Sequence, residues 1–118
     1  GVAMRFKLVL ASVKNHLTDE VVDAAKEAGA TGATIIPARG TGMHEAQSFF
    51  GLSLESQTDI IMFVVEEHVV EGLLNAIRTA GHFEEPGTGI AFVLPIEHVC
   101  GLESQMKIFR EQARDQYF

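Results

Sequence analysis

Residues 58–81 read TDIIMFVVEEHVVEGLLNAIRTAG, and a change of period inside this stretch decides the fold. The first eight residues are apolar at odd and even positions alike, the mark of a strand with both faces covered. From Val69 the spacing lengthens: Val69, Val70, Leu73, Leu74, Ile77 and Ala80 fall along one side of a helix that runs until Gly81. GIAFVLP at 89–95 then reads as another strand, so this half of the chain is a βαβ unit.

The first half follows the same plan. Residues 5–13, RFKLVLASV, alternate Phe6, Leu8 and Leu10 on one side with Val9 and Ala11 on the other. Thr18-Asp-Glu supplies an N-cap and first-turn acids, with Leu17 and Val22 spaced as a hydrophobic staple; apolar residues at 21, 22, 25 and 28 predict a helix ended by Gly29 in the left-handed conformation. ATIIPAR at 33–39 is a second strand, whose Pro37 lacks a ladder donor and is expected to mark its end or a bulge. Two successive βαβ units predict an α+β fold of the ferredoxin-like βαββαβ kind, a four-stranded antiparallel sheet with both helices on one face. Polar, helix-favouring residues at 103–116, with Met106 and Phe109 as a thin apolar stripe, predict a short C-terminal helix.

In such a sandwich the helices cover one face only, yet the strands at 60–65 and 90–94 are apolar on both. A second copy of the same sheet is the simplest cover, so a homo-oligomer is expected; the alternative is that the terminal helix folds over this face.

The 118 residues suffice for a single domain, 1–118, with its core at about 5–100 and a C-terminal extension at 101–118. A net charge of −7 leaves no basic field for phosphate backbones, which argues against a nucleic-acid partner. No apolar run is long enough for a membrane span, a secretion-signal pattern is missing, and the single cysteine, Cys100, cannot form an internal disulfide. A cytoplasmic location is the expectation.

Residues 40–57 connect two strands that a turn of two to five residues would join. Length without structural need points to function. Phe49 and Phe50 are candidates for contact with a partner protein; equally, with Leu52 and Leu54, they are candidates for ordinary packing in a short helix or hairpin extension. Gly87, Thr88 and Gly89 can present successive backbone N–H groups to an anion, and Gly40 and Gly42 can do so across a cleft, although Gly-x-Gly also makes any tight turn.

IIPARGTG at 35–42, VVEE at 64–67 and PGTGIAFVLPIE at 86–97, in this order around a long central loop, resemble the nitrogen-regulatory PII signalling family, and more closely its divergent PII-like branch. The resemblance spans roughly residues 5–100. The copper-tolerance CutA family shares the fold and the trimeric assembly. Membership of the PII family implies a homotrimer with a ligand site in each cleft between subunits. The start of the long T-loop would line it with Arg39, Gly40, Thr41 and Gly42, the glycine-rich B-loop with Gly87, Thr88 and Gly89, and a neighbour with residues near Cys100 and Gly101. It also implies adenine-nucleotide binding without turnover, with the T-loop conformation presented to a transporter, enzyme or regulator.

The departures from the family pattern narrow the ligand. Ile90 stands where ATP-binding members place a lysine after the B-loop glycine, Gly101 and Glu103 where they place basic residues, Met43 and His44 in place of a glutamine, and Thr58 in place of the lysine at the loop's far end. Triphosphate charge would be poorly neutralised, with Arg39 the nearby cation. AMP, ADP, a cyclic nucleotide or another small anion such as bicarbonate is favoured over ATP with magnesium, and no cofactor is required. The loop contains no tyrosine to modify, while Ser48, Ser53 and Ser56 leave phosphorylation open.

Two other classes fit parts of the sequence. A CutA-like metal-binding trimer would use His44, His98 and Cys100, the last two sharing a face if the final strand continues past Pro95, with His82 and Glu97 as further donors. A small cofactor-free enzyme would use His44 and Glu45, which a long loop holds poorly.

Overall fold

The computed structural model describes residues 5–39 and 57–101. Strand β1 (Phe6–Lys14) passes through a 3-10 turn (Asn15–Leu17) into helix α1 (Thr18–Glu27), followed by β2 (Thr34–Arg39). Strand β3 (Gln57–Glu66) passes through a matching 3-10 turn (Glu67–Val69) into α2 (Val70–Ala80), followed by β4 (Gly89–Pro95). The strands form one antiparallel sheet in the order β2-β3-β1-β4. This is the expected ferredoxin-like α+β sandwich. The 40–56 segment and the expected C-terminal helix lie outside the described residues.

Alternation along the strands separates two unlike faces. On one, Val9, Ala11 and Val13 of β1 lie across from Phe63, Ile61 and Asp59 of β3, and Val9, Ala11 and Val13 also pair with Val93, Ala91 and Gly89 of β4. Leu17, Val21 and Ala25 of the first helical layer and Leu73 and Ile77 of α2 close over this face, and Phe63, Ile61, Leu73, Ile77, Val9, Val13 and Val21 lose all contact with solvent. Each such side chain contributes about 1.5–3 kcal/mol of burial. The repeat persists at residue level: Val9, Ala11, Val13, Val21 and Ala25 are answered at one constant interval by Ile61, Phe63, Val65, Leu73 and Ile77, and all ten are buried.

Among the described residues no helix covers the opposite face. Its rows are Ile36, Ile60, Ser12 and Ile90; Thr34, Met62, Leu10 and Phe92; and Val64, Leu8 and Leu94. Phe92 is 53% exposed and Ile90 52% exposed.

Both helices end in the same motif. After α1, Ala30 N–H donates to the Ala25 carbonyl and Gly29 N–H to that of Lys26, with Gly29 at φ +117°. After α2, Phe83 N–H donates to Arg78 O and His82 N–H to Thr79 O, with His82 at φ +56°. These are the paired bonds of a Schellman cap. Gly29 is the expected left-handed stop; in the second copy that conformation falls one residue beyond Gly81, on a histidine.

Two local expectations are corrected. Thr18 is not an N-cap: it is already helical, and its buried hydroxyl donates to Asp59 Oδ2 at 2.6 Å. Pro37 marks neither an end nor a bulge, since the register runs unbroken from Ile36 with Ile60 through Pro37 with Asp59 to Ala38 with Thr58. An edge strand accommodates proline because its outer side has no ladder donor to supply.

Candidate functional site

One end of the sheet gathers most of the site residues that the structure describes. Arg39 closes β2 opposite Gln57, Lys14 closes β1 opposite Thr58, and Gly89 opens β4 opposite Val13. Arg39 is exposed. It sits on one sheet edge and Gly89 on the other, with β3 and β1 between them. Three strand spacings of about 4.8 Å separate these edges by roughly 14 Å. A small ligand held at close quarters by both edges therefore needs a second copy of the chain to bring them together. Gly40, Thr41, Gly42, Phe49 and Phe50 lie outside the described residues.

The glycine turn before β4 is built inward from the cap of α2. Glu85 N–H donates to His82 O at 3.0 Å and Thr88 N–H to Glu85 O at 3.3 Å. Thr88 is buried, and its hydroxyl stands 2.5 Å from His82 O and 2.8 Å from Glu85 O, so its single proton serves the turn. Gly87 has φ +77°, a conformation that costs a side-chain-bearing residue about 1–2 kcal/mol. Its N–H has no hydrogen-bond partner among the described residues. Gly89 is a packing glycine: a Cβ there would run into the Phe83 ring and come 2.5 Å from the Ser12 carbonyl. In this turn the Thr88 N–H is spent, the Gly87 N–H is taken by no described residue, and a side chain at Gly89 is excluded by packing.

Lys14 was not singled out in the sequence, where it is simply the residue after an apolar run. Pairing places it directly across from Thr58, one residue beyond the partner of Gly89. Below it, Asn15 Nδ2 donates to Gln57 Oε1 at 3.4 Å and Thr18 to Asp59, so two hydrogen bonds tie the first residues of β3 to the entrance of α1.

At the other end of the chain, β4 stops at Pro95, and His98 and Cys100 are exposed residues beyond the strand. The shared strand face on which a His98 and Cys100 metal pair depended does not form. Among the described residues no three His, Cys, Asp or Glu side chains converge.

Fold and site together define a split βαβ domain with an apolar sheet face that no helix covers among the described residues, and a glycine turn at one sheet end. The family model for the nitrogen regulatory protein P-II matches residues 6–105. A nitrogen regulatory protein P-II of Azospirillum brasilense is 31% identical over 106 residues, 86% of this chain and 95% of that one. One of Mesorhizobium japonicum is 34% identical over 103 residues, 83% of this chain and 92% of that one. The chain belongs to the nitrogen regulatory protein P-II family and is a signalling protein of that family. Among solved structures, a PII-like signaling protein of Thermus thermophilus superposes with a TM-score of 0.59 at 28% identity, covering 78% of this chain and 86% of its own. CPII of Thiomonas intermedia, solved bound to ADP, AMP and acetate, shares the fold at a TM-score of 0.66 and 21% identity, over 86% of this chain and 96% of its own.

Proposed function

We propose that three copies of this chain close their unroofed sheet faces against one another, and that each seam binds AMP or ADP, reporting ligand state to a target through the 40–57 loop. The observation that carries this reading is the division of the site. Arg39 and Gly87 face the same end of the sheet from opposite edges, and the face between those edges is apolar. Association that covers the face also brings the β2 edge of one copy toward the β4 edge of the next. In that seam Gly87, Thr88 and Gly89 supply the turn, Arg39 with Gly40, Thr41 and Gly42 the opposing wall, and Lys14 a second cation. Bicarbonate is the alternative small anion. The ADP and AMP in the Thiomonas CPII structure support the nucleotide class.

The protein then acts by binding rather than by turnover, in the cytoplasm, on a transporter or enzyme of nitrogen or carbon metabolism, with Phe49 and Phe50 as contacts for that target. No helix among the described residues is long and apolar enough to cross a membrane.

Calorimetric titration with AMP, ADP and bicarbonate, alongside light scattering, tests the reading. Trimer mass and saturable AMP or ADP binding are expected, with binding lost in Gly87→Val and the mass unchanged. A folded monomer, or Gly87→Val binding with unaltered affinity, overturns it. Replacing Phe49 and Phe50 by serine is expected to spare nucleotide binding and reduce target recovery in a pull-down.

A further inference from the structure

The carboxylate at the root of β3 has no cationic partner within salt-bridge distance among the described residues, and it is held in place. Thr18, itself buried, donates to Asp59 Oδ2 at 2.6 Å. A hydrogen bond to a charged acceptor is roughly twice as strong as one between neutral groups, so this charge has a fixed address. The address lies within the candidate site's end of the sheet. Asp59 pairs with Pro37, two residues before Arg39 on the neighbouring strand, and shares the partner Val13 with Gly89. Two strand spacings place it about 10 Å from Gly89. Glu84 and Glu85 of the glycine turn are also acidic, but they are exposed and no hydrogen bond orients their carboxylates among the described residues.

We infer that Asp59, positioned by Thr18, is a specificity-determining residue that disfavours polyanions in this site. Its fixed negative charge offsets Lys14 and Arg39 and selects weakly charged ligands over a triphosphate. The inference rests on the nucleotide reading above and adds to it the residue that sets charge preference. ATP carries about two more negative charges than AMP, and each is repelled across about 10 Å of partly screened medium, which makes roughly a tenfold difference in relative affinity the expected scale.

The test is titration of AMP and of ATP without magnesium into the wild-type protein and into Asp59→Asn, Thr18→Val and Glu85→Gln. Asp59→Asn keeps the shape and removes the charge. It is expected to raise ATP affinity relative to AMP by about tenfold, less at high salt. Thr18→Val frees the carboxylate and is expected to move the ratio in the same direction by a smaller factor, while Glu85→Gln leaves it within about twofold. A mere structural role would weaken both nucleotides alike and leave the ratio alone. An unchanged ratio in Asp59→Asn overturns the inference. If the wild-type protein binds neither nucleotide, ATP binding gained by Asp59→Asn still supports it and none gained overturns it. Failure of the nucleotide reading is a separate result, in which AMP and ADP both leave the wild-type protein unliganded.

Discussion

At the scale of single residues, the chain shows what glycine is for by placing it in three different situations. Gly72 lies exposed in α2 with nothing within 4 Å of the position a Cβ would take. It costs helix stability without filling a tight space, so Gly72→Ala is expected to stabilise the fold by about 0.5–1 kcal/mol in denaturant titration. Gly89 is the opposite case. A Cβ there meets the Ser12 backbone and the Phe83 ring, so Gly89→Ala is expected to lower the melting temperature by loosening the β1–β4 pairing. His82 occupies the left-handed site that glycine occupies after α1. Relief of about 1–2 kcal/mol of backbone strain exceeds the extra unfolded-state entropy of glycine, and His82→Gly is expected to gain roughly 0.5–1 kcal/mol by the same titration. Sequence alone marked Gly29 and Gly81 as stops. It did not show which residue of 81–83 turns left-handed, because that choice depends on Phe83 reaching back to the core.

At the scale of elements, periodicity carried most of the fold. The strand and helix of residues 58–81 lie where the change of spacing puts them, because the apolar residues of each half bury against the same sheet face. What could not be read was the use of polar side chains whose partners are distant in sequence. Thr18 has the sequence context of a cap, yet the carboxylate that takes its hydroxyl comes from β3. Lys14 gains its place only from its pairing with Thr58. The glycine turn shows the same limit: Gly-Thr-Gly suggests a row of free amides, but Thr88 turns both of its donors onto His82 and Glu85. Thr88→Val keeps the volume and removes the hydroxyl. It leaves a partly buried carbonyl without that donor, and a loss of about 1–3 kcal/mol is expected, with faster hydrogen exchange of the residues between α2 and β4.

At the scale of the molecule, the decisive feature is a sheet with one face roofed by helices and the other, among the described residues, bare. Leu10 is at the centre of the bare face, across from Met62 on one side and Phe92 on the other. It contributes nothing to the helical core, whose β1 members are Val9, Ala11 and Val13. A change there separates folding from association. Leu10→Lys places a charge that a lone chain can hold toward water but a closed assembly must bury without a counterion, at a cost of several kcal/mol. Since about 1.4 kcal/mol is a factor of ten in affinity, association is expected to weaken by a hundredfold or more. Light scattering should show monomer at concentrations where the wild-type protein is expected to be trimeric, with the circular dichroism of the βαββαβ core retained. Nucleotide binding should fall in proportion to the assembled fraction and return at high protein concentration, as the proposal that the seam is the site requires. Binding of AMP or ADP by the dispersed chains with unaltered affinity would show that one copy suffices, and the divided site would then have to be abandoned.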